Sequence, residues 1–388
     1  MGESVWARLR RRLSGRARPG PLPPPAGLGG PEAEPFTVTT GEKADGTPVI
    51  SIRLGPVMST ALQVSAELAK YGRTDPRALE IRTGHARHLM QNHEVAHAVE
   101  AYREIVALRS ASQGPDHPDT LASGHSLAFA LYVQGSYAEA EAVQRAVYDR
   151  RRAVLGSDHP DTVASGGNLG ELLFRLGRLN ESGEVQLAAA EAAERALGPD
   201  APETLHCLMR LAAVLRALGR PVETERLIAH LVDAFARVEG PSSVTALQAR
   251  SNHVTALLSL DRTAEALPAA KAVAADAERA LGADHTVTLH ARHGLADALS
   301  RSGRPREATA VLEATVAGYT RTCGADHPLT LAARQGLAEA LAAGGEPERA
   351  AREARACLAG RERMLGPGHP DTEAARALLG RIRGGNRT

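Results

Sequence analysis

A threonine that recurs at almost constant spacing is the feature that most constrains the fold of this chain. Its successive intervals are 42, 42, 41, 43, 42 and 42 residues, and its copies are Thr120, Thr162, Thr204, Thr245, Thr288, Thr330 and Thr372. A further step of 42 residues back from Thr120 reaches Ala78, in a degenerate first copy. A period of this length is typical of proteins in which one supersecondary unit is stacked many times.

Each copy predicts two helices. The first helix follows a loop that ends in Asp-His-Pro, so we expect Asp158 to cap one such helix and Pro160 to lie in its first turn. Fifteen residues after the threonine, or sixteen in the shifted fifth copy, a residue that tolerates a left-handed backbone is expected to end it: Gly135, Gly177, Gly219, Asp261, Gly303 or Gly345. A second helix then runs to the next Leu-Gly.

A single pair of this size cannot bury its own apolar face, whereas stacked pairs can. Aromatic residues make up only 3% of the chain, which also favours closely packed helices over sheets. We therefore predict an all-α fold, a right-handed α-solenoid of stacked helix pairs with a concave surface.

The repeated unit, which begins LG-x-D-H-P-x-T and continues with G-x-x-x-E-A, resembles the 42-residue tetratricopeptide repeats of the kinesin light chain type, similar to arrays in actinobacterial proteins. The resemblance covers residues 76–383. It implies a fold that binds other proteins, with asparagines five and six residues after the threonine that grip a peptide backbone. Of these asparagines only Asn168 is in register here.

The chain is expected to contain three parts. Residues 1–35 form a disordered tail, first basic and then rich in proline and glycine, and residues 36–56 form a hairpin or a linker. Residues 57–383 form the solenoid of about seven helix pairs plus caps, with a capping helix over 59–71 and a half-unit over 371–383. The first 18 residues, MGESVWARLRRRLSGRAR, are interpreted as a solvated tail, and the alternative is weak contact with an anionic surface.

Ten side chains are predicted to line the groove along the first helices: Arg82, His125, Asn168, Arg210, Arg250, Asn252, Arg292, His293, Arg334 and Gln335. Arginines four residues after the threonine position, together with Arg210 and Arg250, predict a basic stripe. Two interpretations of the stripe remain open. It binds an acidic or extended peptide, or it forms internal ion pairs with carboxylates nine residues after the threonine, at Glu171, Asp297 and Glu339.

The stretch HEVAH, residues 93–97, matches the H-E-x-x-H signature of zinc hydrolases. In the repeat register, however, His93 falls on the turn position that Gly135 occupies in the next copy. The two histidines would then not share one helix face, so we interpret HEVAH as a turn and the start of a second helix. The histidines of the Asp-His-Pro loops recur once per copy, too far apart to share a metal, and are interpreted as structural.

The net charge, the length of the apolar runs and the cysteine content narrow the range of possible functions. A formal net charge of +1 gives no field for nucleic acid, and the apolar runs are too short for an integral membrane protein. Three widely spaced cysteines suit a reducing, cytoplasmic setting. We predict a non-catalytic scaffold or adaptor without cofactor or metal that binds a protein or peptide. The alternatives are a ligand-responsive sensor and, less favoured, a zinc-dependent hydrolase that uses HEVAH.

Overall fold

The computed structural model describes two strands, at 36–42 and 48–54, and residues 64–384. Strand β1 (Phe36–Glu42) pairs antiparallel with β2 (Pro48–Leu54), with Phe36 opposite Leu54 and Glu42 opposite Pro48. The predicted tail at 1–35 and residues 55–63 lie outside the described residues. Within the predicted capping helix, residues 64–68 are helical and a turn follows at 69–70.

Long helices in pairs make up almost all of residues 76–384. Their bounds are α1 (Pro76–Gln91), α2 (Val95–Gln113), α3 (Pro118–Gln134), α4 (Tyr137–Leu155), α5 (Pro160–Arg175), α6 (Leu179–Leu197), α7 (Pro202–Ala217), α8 (Pro221–Val238), α9 (Val244–Ser259), α10 (Thr263–Leu281), α11 (Thr286–Arg301), α12 (Pro305–Cys323), α13 (Pro328–Ala343), α14 (Pro347–Leu365) and α15 (Pro370–Gly384). Odd-numbered helices are the first helices of the pairs and even-numbered ones the second. The predicted all-α solenoid fold is confirmed.

The helices fall into two compact units that divide after Ala196. In the first unit, leucine, valine and alanine side chains from α1 to α5 form one core, in which Ile105 and Leu131 are fully buried. In the second unit, Leu247 and Tyr319 belong to equivalent cores between successive pairs. In each unit the apolar face of a pair is therefore buried against its neighbours along the chain.

A histidine caps most first helices, which corrects the expected role of Asp158. The cap of α5 is His159, whose Nδ1 accepts a hydrogen bond from the N–H of Asp161 at 3.2 Å. Asp158 lies one residue too early for this position and instead accepts from Arg195 Nη2 at 2.7 Å, at the end of α6. The loop histidines are thus structural caps, and the loops that contain this aspartate are tied by it to the second helix of the same pair.

The turn between paired helices follows the prediction. Glycines at the predicted positions all have positive φ, between 68° and 88°: Gly135, Gly177, Gly219, Gly303 and Gly345. Two copies place another residue there, and these two, His93 (φ 63°) and Asp261 (φ 57°), are the non-glycine residues with positive φ in the part of the chain that the structure describes. The left-handed turn is therefore a requirement of every pair.

In the fifth copy the threonine lies one residue before the repeated slot. Ser243 caps α9, and its Oγ accepts from the N–H of Ala246 at 3.1 Å. This places Ala246, which is fully buried, in the slot that a threonine occupies elsewhere, while Thr245 remains partly exposed. Ala246 lies 42 residues after Thr204 and 42 before Thr288, so the irregular intervals of 41 and 43 were an error of alignment.

Candidate binding site

One side of the first helices is not covered by the neighbouring pairs. Most of its residues lie two, five, six or nine positions after the threonine slot and are exposed or half-buried. We call this side the first-helix face. In the first unit it carries His125, Ser126, Phe129, Asn168 and Glu171, and in the second unit it carries His206, Arg210, Asn252, His290, His293, Asp297, Gln335 and Glu339.

The arginines four residues after the threonine slot do not lie on this face. Arg82 binds Glu104 at 3.0 Å, Arg250 binds Asp276 at 2.7 Å, Arg292 binds Glu278 at 2.8 Å and Arg334 binds Glu353 at 2.7 Å. Each of these carboxylates belongs to an even-numbered helix, and each guanidinium is at most 24% exposed. Of the two interpretations of the basic stripe, internal ion pairing matches these contacts.

The partners expected for those arginines were nevertheless wrong. Glu171 binds Arg175 at 2.8 Å, Asp297 lies 3.9 Å from His293 Nε2, and Glu339 accepts from Gln335 at 3.1 Å. Residues that lie five positions apart are about 140° apart around a helix, so a side chain at position four and one at position nine point in different directions. The arginines contact second helices, while the carboxylates remain on the first-helix face.

Two asparagines share one slot on this face. In the corrected register Asn252 lies six residues after Ala246, as Asn168 lies six residues after Thr162. Asn168 Nδ2 is 3.5 Å from His125 Nε2, and Asn252 Nδ2 is 3.6 Å from Met209 Sδ. In both cases the amide reaches the slot-five residue of the preceding pair. The sequence register had hidden this equivalence.

Titratable groups are concentrated on the face of the second unit. Burial lowers the pKa of His290, and the neighbouring His293 and Arg216 lower it further. Neighbouring groups partly desolvate Asp297 and raise its pKa, although half of its side-chain surface stays exposed; Glu339 raises it further, while His293 and Arg301 oppose this shift. Arg210 is exposed on the same side. This face therefore offers both hydrogen-bond donors and acceptors to a polar partner.

Phe129 is a surface residue that the sequence reasoning missed. It lies on α3, and its side chain is 57% exposed. Tyr132 and Val133, one turn further along, are half-buried, so an apolar patch extends along the helix. Its slot, nine residues after the threonine, holds Glu171, Asp297 or Glu339 in other copies. A large apolar residue in a mostly polar slot is the signal that would have identified it.

The HEVAH stretch does not form the helix that a zinc hydrolase requires. His93 has φ 63° and lies in the turn, Glu94 is the N-cap residue, and α2 begins at Val95. His97 lies in the first turn of α2, with Nδ1 3.2 Å from Glu94 Oε2. The two histidines therefore do not occupy successive turns of one helix, as the H-E-x-x-H geometry demands.

Replacing His93 with glycine is expected to raise the free energy of unfolding of the first unit by about 0.5–1 kcal/mol. A side chain at this backbone conformation costs roughly 1–2 kcal/mol, part of which is offset by the greater freedom of glycine in the unfolded chain. Urea denaturation measures the change. His97→Gly, placed inside the helix, serves as the control and should lower stability by about 1 kcal/mol. A loss of stability in both variants would contradict the turn assignment.

Residues 64–384 contain no cluster of three or more His, Cys, Asp or Glu side chains arranged to hold a metal ion. Over the same residues, no helix has the length and apolar character needed to cross a membrane.

Comparison with known proteins places these features in a family. One model of the tetratricopeptide repeat matches residues 120–161 and 330–371, and a second matches residues 163–235 and 245–321. A search of curated proteins gave no match.

Several solved structures are similar to this chain. A tetratricopeptide repeat protein from Parabacteroides merdae is 18% identical, with a TM-score of 0.56 over 80% of this chain and 100% of its own. The apo form of RapI is 10% identical, with a TM-score of 0.56 over 75% of this chain and 99% of its own. Nearly identical kinesin light chain repeats from Podosopora anserina are 24% identical over 54% of this chain and 98% of their own, with a TM-score of 0.49.

The family models match successive copies of the 42-residue helix pair, and the structural neighbours share the same architecture. On this evidence the chain belongs to the tetratricopeptide repeat family.

Proposed function

We propose that this chain is a non-catalytic scaffold or regulatory adaptor that binds a protein or peptide on its first-helix face. Tetratricopeptide repeats build extended surfaces from stacked helix pairs, and such surfaces commonly serve protein recognition. The proposal rests on how the side chains are divided between the repeated frame and this face.

The repeated frame, meaning the residues that build each helix pair and its turns, changes little from copy to copy. The buried threonine, the turn glycine and the capping histidine recur from copy to copy, and aspartates of the loops bind arginines 37 residues later, as in Asp158–Arg195 and Asp326–Arg363. The first-helix face does not repeat: slot nine alone holds Phe129, Glu171, Asp297 and Glu339. Because the fold needs the frame and not the face, the variation on the face is available for recognition.

The observation that carries the proposal is the exposure of Phe129. An aromatic ring 57% exposed to water is a favourable anchor for a partner, because burying it on binding removes a large apolar area from water. Polar groups at Asn168 and His125 lie on the same face. A peptide that presents an apolar side chain to Phe129 and polar groups beside it fits this arrangement.

The contacts of the arginines make an acidic partner less favoured than the basic stripe of the sequence suggested. Arg82, Arg250, Arg292 and Arg334 are already ion-paired and half-buried, so a new carboxylate would have to compete with an existing one. Arg210 is the exposed arginine of the predicted set. We therefore place the apolar anchor in the first unit ahead of charge as the source of affinity.

A photo-crosslinking amino acid placed at position 129 is expected to capture a protein partner in the cells from which the chain comes. Position 154 is a matched control, because Val154 is 53% exposed but lies at the end of the second helix α4. Mass spectrometry identifies the products. Capture of the same proteins at both positions, or of none at position 129, would count against the proposal.

Phe129→Ala is then expected to weaken binding of the captured partner about tenfold, or about 1.4 kcal/mol, because the apolar anchor is lost. Val154→Ala should change the dissociation constant by less than about twofold. Titration calorimetry with the purified partner measures both. Equal affinities for the wild type and Phe129→Ala would remove Phe129 from the binding site.

A further inference from the structure

A cleft of about 480 Å³ lies in the second unit, between the second helices α12 and α14 and above the first helix α13. Its floor is apolar and includes Val316, Leu337 and Leu341. Arginines stand around it, among them Arg321 and Arg352. The volume is within the roughly 300–1,000 Å³ typical of sites for small ligands. This cleft is separate from the first-helix face.

The last full pair departs from the repeat pattern at this cleft. Glu353 lines it, whereas the same slot holds an apolar residue in every earlier copy: Ala101, Val143, Val185, Leu227, Ala269 and Val311. Arg349 stands where five copies have a glutamate: Glu139, Glu181, Glu223, Glu265 and Glu307. The charged lining is therefore not a general property of the repeat and is specific to this position.

The reversed charge of Arg349 is balanced inside the protein. In the first unit Arg103 of one pair binds Glu139 of the next at 2.6 Å, a step of 36 residues. The same step joins Glu313 to Arg349 with the charges exchanged, and Arg349 also binds Glu346 at 2.6 Å. Arg349 is thus committed to holding α14 against α12.

The other arginines of the cleft differ in their partners. Arg334 binds Glu353 at 2.7 Å, and Arg321 binds Asp284. Within residues 64–384, Arg352 makes no ion pair, and its side chain is exposed. One guanidinium, with its fork of N–H donors, is therefore free beside an apolar floor.

We propose that the cleft between α12 and α14 binds an organic carboxylate with an apolar body. A single free guanidinium suits one carboxylate, which it can bind through two parallel hydrogen bonds. The apolar body would lie over Val316, Leu337 and Leu341. Two sources supply this chemistry: a free aliphatic acid, and the end of a peptide whose last residue is apolar.

Four small probes test the proposal: hexanoate, N-acetyl-leucine, hexanol and acetate. The readout is the methyl NMR spectrum of Leu337 and Leu341, which reports on the floor of the cleft. Hexanoate or N-acetyl-leucine should shift these methyl signals saturably, and hexanol and acetate should bind at least five times more weakly. The tighter of the two carboxylates identifies the source.

Three variants make the test specific. Arg352→Gln should weaken the carboxylate at least fivefold, and Ala317→Phe, which places a ring in the cleft from an exposed position, should abolish binding. Arg355→Gln, on the same helix but outside the cleft, should leave binding unchanged. The proposal is overturned if no carboxylate shifts the methyl signals, if hexanol binds as tightly as hexanoate, or if Arg352→Gln binds as the wild type does.

Discussion

Replacing Arg151 with alanine is expected to lower the free energy of unfolding of the first unit by about 3 kcal/mol. The side chain is only 6% exposed. Its Nη1 donates to the carbonyl oxygen of Asp161 at 3.1 Å and to Ser165 Oγ at 2.8 Å, so it joins the end of α4 to the start of α5. Alanine would leave both acceptors without this donor and open a cavity between neighbouring pairs.

The same interface is built in more than one way along the chain. Arg109 repeats the arrangement, with Ser123 Oγ at 2.7 Å and the carbonyl oxygen of Asp119 at 3.1 Å. In the second unit three copies hold small or apolar residues in both slots, paired as Phe235 with Ala249, Ala277 with Ala291, and Tyr319 with Ala333. The last copy keeps the arginine, Arg361, opposite Ala375, and its Nη1 donates to the carbonyl oxygen of Asp371 at 2.7 Å. The two serines in this slot, Ser123 and Ser165, each accept a hydrogen bond from an arginine, so the buried hydroxyl and its donor occur together.

The hydrogen bond between Arg151 and Ser165 can be removed by changing both partners at once. Arg151→Leu together with Ser165→Ala should lose clearly less stability than Arg151→Ala alone, because no buried hydroxyl is then left without its partner. Burial lowers the pKa of Arg151, but the group remains protonated at neutral pH, so the losses should not depend on pH there.

The free energy of unfolding must be measured locally, around α4 and α5, because repeat arrays can unfold in segments. Urea denaturation and amide hydrogen exchange of α5 together give the local change. Arg152→Ala, at the exposed neighbouring position, should stay within about 0.5 kcal/mol of the wild type. Equal losses in Arg151→Ala and Arg152→Ala would show that the buried hydrogen bonds contribute little.

The features that could be predicted from the sequence are those that a backbone conformation imposes on residue identity. A positive φ strongly favours glycine, so Gly135 and Gly177 mark their turns, and the register alone identifies His93 as a turn residue, in agreement with its φ of 63°. The period likewise predicted a stack of helix pairs. Such signals are local, and they repeat.

Side-chain partners could not be predicted in the same way. Arg250 and Arg334 recur four residues after the threonine slot, and each binds a carboxylate of a second helix. The direction of a side chain at this position depends on the rotation of its helix relative to the neighbouring helix, and the repeat period does not determine that rotation. For a similar reason the capping residue of α5 is His159 and not the expected Asp158. A difference of one position in the chain decides which side chain faces the free N–H groups at the start of the helix. Phe129 occurs once and so leaves no periodic signal.

Replacing Gly324 with alanine is expected to lower the free energy of unfolding of the second unit by about 2–3 kcal/mol. This residue ends α12 with φ 96° and ψ 161°, a region that is essentially restricted to glycine. An added Cβ would meet no atom within 4 Å, so the cost comes from the backbone and not from a clash. The buried Thr330 Oγ1 donates to the carbonyl oxygen of Gly324 at 2.7 Å, and any relaxation of the backbone would disturb this bond.

Gly380→Ala is the matched control for this prediction. Gly380 lies inside α15 of the same unit, where an added methyl group would have no atom within 4 Å and the backbone has no positive φ. Alanine there should raise stability by about 0.5–1 kcal/mol, because it favours the helix and restricts the unfolded chain. The same substitution should thus have opposite signs at two open positions, as measured by urea denaturation. If Gly324→Ala left the free energy of unfolding unchanged, the loop before α13 would have to adopt another conformation. The Gly324–Thr330 hydrogen bond would then not be the contact that positions the first turn of α13.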